Sequence, residues 1–263
     1  MHVKISLFFV FIFFIPVLLA DEYVLNESAM YVDARDLALG GLVCSYEPSV
    51  KNKLGLTYLM PFQLKELSIR KLDFQKQFVG LDWLFGWSQS GNADMMENTL
   101  SMHAGKLLNK KVYLGVEVSA LLLDNALDEQ VYTCFATLDC TYELSEKVGI
   151  GLKLMNPSGS RLRMGMNSIP LSSAAFLGSR YAPTHQCWVF FEVAARLNVS
   201  MVGRIGLEYE LSEALVLRTG LQTMPTMPSW GIGGTVSRFR YSWGGNLHPI
   251  LGISNGFTLN YSW

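Results

Sequence analysis

From Lys51 to Trp263, apolar and polar residues alternate with a period of two over one stretch after another. A β-strand sends successive side chains to opposite faces, so this period marks strands with one oily and one polar face. "VYLGVEVSALLL" sets Val112, Leu114, Val116 and Val118 against Tyr113, Gly115, Glu117 and Ser119. "YTCFATLDCTYEL" sets Tyr132, Cys134, Ala136, Leu138, Cys140 and Tyr142 against Thr133, Phe135, Thr137, Asp139 and Thr141. In "VGIGLKL", Val148, Ile150 and Leu152 oppose Gly149, Gly151 and Lys153; in "RIGLEYEL", Ile205, Leu207, Tyr209 and Leu211 oppose Arg204, Gly206, Glu208 and Glu210. The final stretch, "NGFTLNYSW", places Phe257, Leu259, Tyr261 and Trp263 on one parity and Thr258, Asn260 and Ser262 on the other.

These segments run about ten residues, the length at which a tilted strand crosses a bilayer. The pattern predicts strands near 51–60, 66–76, 78–88, 96–107, 110–123, 130–144, 147–155, 173–182, 185–195, 202–211, 214–223, 229–236, 238–244 and 252–263. That is fourteen, an even number, as a closed antiparallel barrel requires. Alternation is weakest over 66–76 and 173–182, and without those two the count is twelve. Parity flips between Trp230/Ile232 and Phe239/Tyr241/Trp243, which predicts a tight turn near Ser237. Connections alternate between tight ("LNKK", "LSEK", "LSEA") and longer ones ("SGNADMM", "NPSGSRLRMGMNSIP", "TMPTMPS"), as in barrels with short turns at one end and long loops at the other. Aromatics at strand ends (Tyr58, Trp83, Trp87, Tyr113, Tyr142, Trp188, Trp230, Trp243, Tyr261) are expected to form interfacial girdles.

Composition separates this from a soluble β-sandwich, which also alternates. The chain is 50% hydrophobic and only 16% charged, well under the roughly 25% charge of a soluble domain. Residues 1–20, "MHVKISLFFVFIFFIPVLLA", have a basic start at Lys4 and an apolar run broken by Pro16, the layout of a secretory signal peptide. No later segment is long and apolar enough for a membrane helix, so an oily, exported chain is expected to cross a membrane with strands. The expected organisation is a signal peptide over 1–20, an N-terminal segment over 21–50, and an all-β transmembrane antiparallel barrel over 51–263. With Lys4 removed from the 21 Lys and Arg, 20 remain against 22 Asp and Glu, a net charge of −2 with no basic footprint for nucleic acid. Cys44, Cys134, Cys140 and Cys187 lack CxxC spacing and read as small apolar residues, with a disulfide between strands left open.

Little in the sequence carries reaction chemistry. Ser101 and His103 share the polar face of one strand, a minor argument for lipid-ester hydrolysis, but nothing marks a third member of a triad. His248 precedes Pro249 in a turn, where a structural role is expected. "GIGG" at 231–234 has no following helix or lysine to make a phosphate loop, so these glycines are expected to allow bends or close packing. Scattered histidines and carboxylates give no metal site, and no cofactor is expected. The charges on the inward parity are Glu117, Asp139, Lys153, Arg204, Glu208, Glu210 and Arg218. They read either as an internal salt-bridge network or as a lining that selects or binds a ligand. The expectation is a non-enzymatic barrel.

Several stretches resemble a known family. "DARDLALGGL" (33–42), "QLKELS" (63–68), "NPSGS" (156–160), "RIGLEYELSEALVLRTGL" (204–221) and "HPILGISNGFTLNYSW" (248–263) are similar to the short PorV/PorQ-like outer-membrane barrels of Bacteroidota, within the FadL-like fatty-acid-transporter superfamily. The resemblance covers most of 33–263 and implies a fourteen-stranded barrel, integral to the outer membrane, with an N-terminal segment in its lumen. It implies transport or binding of a hydrophobic or small ligand or, alternatively, a docking or shuttle role for secreted or surface proteins of type IX secretion. Outer-membrane lipid is one implied partner. The barrel-assembly machinery is another, reading Phe257, Leu259, Tyr261 and Trp263, because Trp263 resembles the terminal aromatic of outer-membrane proteins. "GLVCSYEPSVKNKLGL" is shorter than the corresponding stretch of that family and lacks its Asn-Pro-Ala type element, so the luminal plug is expected to be reduced.

Overall fold

The computed structural model describes residues 33–44, 52–92, 94–125, 130–164, 167–196 and 199–263. The expected signal peptide, and all of 21–50 apart from 33–44, lie outside the described residues. Seven strands form the first half of a closed antiparallel barrel: β1 (Asn52–Met60), β2 (Ile69–Phe78), β3 (Leu81–Gly91), β4 (Met95–Leu108), β5 (Val112–Asn125), β6 (Gln130–Ser145) and β7 (Val148–Met155). A small hairpin separate from the barrel sheet, β8 (Arg161–Met164) with β9 (Asn167–Pro170), interrupts the longest connection. The second half follows as β10 (Ala174–Thr184), β11 (Cys187–Arg196), β12 (Val199–Ser212), β13 (Leu215–Gln222), β14 (Met227–Val236), β15 (Phe239–His248) and β16 (Gly252–Ser262). The barrel closes where β1 pairs with β16, setting Leu56 opposite Leu259 and Tyr58 opposite Phe257.

All fourteen barrel strands fall on segments predicted by alternation, the weak 66–76 (β2) and 173–182 (β10) included. Closure leaves no sheet edge to satisfy. The β8–β9 hairpin is not legible in the sequence, because strands of four residues are too short to establish a period. The two longest connections, 61–68 and 156–173, lie at one end of the barrel, and the opposite end carries only turns of two or three residues. The expected longer loops within "SGNADMM" and "TMPTMPS" shorten to 92–94 and 223–226 because the flanking strands extend into them. In the β4–β5 turn Asn109 and Lys110 both take positive φ, 51° and 57°, the backbone that matches the twist of a two-strand hairpin. Ser237 does the same at φ 57°, in the turn that flips parity between β14 and β15.

The faces are inside out relative to a soluble protein. Leu114, Val116 and Val118 point outward and are 45%, 48% and 50% exposed, whereas Ser119 and Thr137 point inward at 2% and 3%. Such an exterior is stable only where acyl chains replace water, so the barrel is a transmembrane one. At the tight-turn end the outer aromatics form a run: Phe74 lies 6.1 Å from Trp263, Trp263 stacks at 5.9 Å on Tyr261, and Tyr261 lies 5.1 Å from Phe239. Two residues expected in the girdles face the lumen instead. Tyr113 is 2% exposed and stacks on His103; its inward parity follows from the alternation of β5, which overrides its place at a strand end. Trp188 packs against an inner cluster of Leu39, Leu42 and Phe190.

Within the barrel, residues 33–44 lie against the wall made by β10–β16. Asp33 caps a single-turn helix, α1 (Ala34–Ala38), by accepting from the backbone N–H groups of Arg35 at 2.7 Å and Asp36 at 3.1 Å. Gly40 and Gly41, at φ 91° and 76°, then turn the chain out of the helix. The wall yields room at glycines. A Cβ on Gly220 would collide with the backbone of Leu39 and Gly40, and one on Gly244 with the carbonyl oxygen of Ala34. "GIGG" behaves as expected of close-packing glycines, with Gly231 beneath Ala38 and Gly233 beneath the Arg218 guanidinium.

Candidate functional site in the barrel lumen

The luminal segment is fastened by polar groups of the barrel. Arg35 donates to both oxygens of Glu208 on β12, at 2.8 Å and 3.1 Å, and Arg218 on β13 donates to the same carboxylate at 2.6 Å. On β11, Glu192 accepts from Arg204 at 2.7 Å with one oxygen, and with the other from the backbone N–H of Val43 at 2.9 Å and Cys44 at 2.7 Å. The Arg204 and Glu192 side chains are 3% and 1% exposed. A buried ion pair holds only when its remaining valences are met, and here the carboxylate satisfies backbone donors that the irregular segment cannot pair internally. The Ala34 N–H donates to Thr258, and the Ser229 hydroxyl to the Ala38 carbonyl, both at 2.9 Å.

The opposite half of the lumen is not filled. A cavity of about 260 Å³ lies between residues 33–44 and the wall of β1–β7, with Arg240 and Ser242 of β15 and Asn260 and Ser262 of β16 also lining it. Its sides carry Lys71, Asp73, Ser101, His103, Glu117, Thr137, Asp139 and Lys153. Its roof, toward the long-loop end, is apolar: Val43, Phe135, Met155 and Phe176 line it and belong to a buried cluster with Leu121, Leu123, Val131, Leu162 and Leu171. Leu162 comes from β8, and Thr133 on the inner face of β6 donates to the Arg161 carbonyl at 3.0 Å, so the hairpin closes that cluster at the long-loop end. His103 reaches over Gly115 to Asp139, Nε2 to Oδ1 2.8 Å, where any Cβ on Gly115 would stand between them. Lys71 lies 3.4 Å from Asp73.

The seven inward charges predicted from sequence divide into two groups. Arg204, Glu208 and Arg218 join the network that holds the luminal segment, whereas Glu117, Asp139 and Lys153 line the cavity. Glu117 accepts from Ser119 at 3.1 Å. Lys153 stands opposite Asp139 in register, yet Asp139 turns to His103 and no carboxylate lies within 4 Å of Lys153 among the described residues. Glu210 belongs to neither group; it sits half-buried at the tight-turn end of β12. Sequence reasoning misses Arg35, Lys71, Asp73 and Glu192. Both faces of "CWVFFEVAAR" are apolar, so the inward parity of Glu192 is not evident, although an isolated glutamate in so oily a strand is itself a signal. The Ser101–His103 pair lines the cavity, with the histidine held by Asp139 and Tyr113, and His248 accepts from the turn N–H groups of Ile250 and Leu251.

Burial pushes the Cys44 thiol above its ordinary range, and the neighbouring Glu192 carboxylate adds to the rise. The thiol lies under the wall glycines Gly151 and Gly178. Among the described residues all four cysteines are free.

No protein-family model and no curated sequence matches the chain. Solved structures do. The Pseudomonas putida toluene transporter TodX superposes with a TM-score of 0.62 at 10% identity, covering 93% of this chain and 96% of its own. A deletion mutant of the TodX monoaromatic hydrocarbon channel gives 0.61 at 10% identity over 92% and 96%. The Acinetobacter baumannii outer membrane protein Omp33 gives 0.52 at 5% identity over 81% and 98%. At such identities the likeness is one of fold: the chain is a closed antiparallel barrel of the kind seen in these transporter, channel and outer membrane proteins.

Proposed function

We propose that this protein is an integral outer-membrane barrel that binds or passes a small, at least partly apolar molecule through its lumen. The observation that supports this is the cavity of about 260 Å³ beside the luminal segment, roofed by Val43, Phe135, Met155 and Phe176 and walled by polar side chains. A cavity that joins an apolar roof to walls of hydrogen-bonding and charged groups suits a small organic ligand with an apolar part and a polar end. The similarity to a toluene transporter agrees with it. The alternative, a PorV-like docking component, calls for a packed lumen and large external loops; the β8–β9 hairpin in the connection after β7 favours it, and the cavity speaks against it. In keeping with this reading, the barrel-assembly machinery takes hold of the outward row ending in Trp263.

The test is to fill the cavity. Ser101→Trp projects an indole into it without touching the Arg35–Glu208 network. Uptake of a radiolabelled small aromatic hydrocarbon by intact cells should fall to the level of cells lacking the protein, while the barrel keeps its heat-modifiable gel mobility. Unchanged uptake with a folded variant would leave the docking reading in its place.

A further inference from the structure

On the outside of β2, β3 and β4, at the long-loop end, three polar side chains stand in one row. Arg70 is in register with Gln89, and Gln89 with Asn98. They are hydrogen-bonded in sequence: Arg70 Nη1 donates to Gln89 Oε1 at 3.3 Å, and Gln89 Nε2 donates to Asn98 Oδ1 at 3.3 Å. The direction of this ladder is fixed by chemistry. Arginine has no acceptor, so the Gln89 oxygen must face it, which turns the Gln89 amide nitrogen toward Asn98 and leaves the Asn98 amide nitrogen outward. Both free ends of the row are therefore donors, a guanidinium and an NH2 group. No carboxylate lies within 4 Å of Arg70 among the described residues.

The height of the row matters as much as its polarity. The next outward row toward the barrel middle is Leu72, Trp87 and Leu100, again in register. Leu72 and Leu100 are 39% and 60% exposed. The donors thus stand at the boundary where the apolar belt ends and lipid headgroups begin, with a tryptophan at the level that interfacial aromatics occupy. We infer that Arg70, aligned by the Gln89–Asn98 row, forms a docking site for the phosphate of an anionic lipid packed against β2–β4, with the Asn98 amide, about 10 Å away across two strand spacings, meeting another oxygen of the same lipid. Guanidinium pairs with phosphate through charge-assisted hydrogen bonds, and a preset donor row loses little freedom on binding. The inference rests on the proposal that the barrel spans an outer membrane, but not on what its lumen carries.

Native mass spectrometry of the full chain tests it. Protein folded in detergent is exposed to phosphatidylglycerol and, separately, to diacylglycerol of the same acyl chains, then stripped stepwise. The wild type should retain phosphatidylglycerol at least about fivefold over diacylglycerol, a preference of the size that charged hydrogen bonds support. Arg70→Leu with Asn98→Leu should abolish the preference. Asn98→Leu alone, which keeps the Arg70–Gln89 link, should reduce it, and Arg163→Gln on the exposed hairpin should leave it intact. Equal retention by wild type and the double variant overturns the inference. So does a change of oligomeric mass without lipid loss, which would make the row a contact between copies. A wild type that never inserts into vesicles would instead fail the membrane proposal itself.

Discussion

Arg35 and Glu208 are 173 residues apart in sequence and meet inside the barrel, the guanidinium held across both carboxylate oxygens at 2.8 Å and 3.1 Å. Arg218 binds the same carboxylate, so one acid fixes the luminal segment to two adjacent strands. Glu208→Gln should release that segment, because it leaves two guanidinium groups facing a neutral amide inside the barrel. Removing one partner of a buried ion pair costs roughly 3–5 kcal/mol; the adjoining polar cavity and the other contacts that Arg35 and Arg218 keep put the expected loss at the lower end. Guanidinium titration of the refolded protein in vesicles measures it, and a loss within error of zero would remove the latch.

Cys44 reports on the same segment. Because burial raises its thiol, the reactive thiolate is scarce at neutral pH, and the sign is plain: the fraction ionised stays low until the pH passes well above the ordinary cysteine range. In a background with Cys134, Cys140 and Cys187 changed to Ala, alkylation of Cys44 should stay slow even at pH 9. Glu208→Gln should speed it by tenfold or more, on the order of a single 1.4 kcal/mol step in exposure. Alkylation at the rate of a free thiol in the parent would contradict the packing described.

Gly220→Val tests the wall rather than the latch. Its side chain would occupy the space of the Leu39 and Gly40 backbone, and neither can yield as a flexible side chain would. The barrel should still close, since β13 keeps its ladder, but the segment should be displaced and Cys44 should label quickly. Slow labelling in a folded Gly220→Val protein would place the segment elsewhere.

Much of the fold is legible in the sequence, because a membrane barrel has a solvent on each side of one sheet and the alternation records both. Where both faces are apolar the record fails. β11 hides Glu192 among Trp188, Phe190 and Ala194, and β5 turns Leu121 and Leu123 inward to meet the roof cluster. The cavity itself is not legible at all. It arises from which half of the lumen the segment 33–44 occupies, and that follows from pairings such as Arg35 with Glu208 that no local pattern encodes. The glycines do carry a trace of it: inward Gly206, Gly220, Gly231 and Gly244 mark where backbone lies against the wall.

Trp263 joins the outer aromatic run through Tyr261 and Phe74. Trp263→Ala should lower the amount of assembled barrel severalfold in cells, as judged by heat-modifiable mobility, while export across the inner membrane is unchanged. Normal assembly would show that this ring contributes packing alone.

The face assignment underlies every other statement, and one pair of substitutions examines it. Val116 is outward near mid-strand on β5, and Thr137 is inward on β6, lining the cavity. Arginine on the lipid face at the bilayer midplane costs about 2–4 kcal/mol, whereas at Thr137 it enters a polar cavity beside Glu117 and Asp139. Chemical denaturation in lipid vesicles should show Val116→Arg losing clearly more stability than Thr137→Arg. Equal losses would mean a sheet packed on both faces, and a reversed order would mean that the barrel has been read inside out.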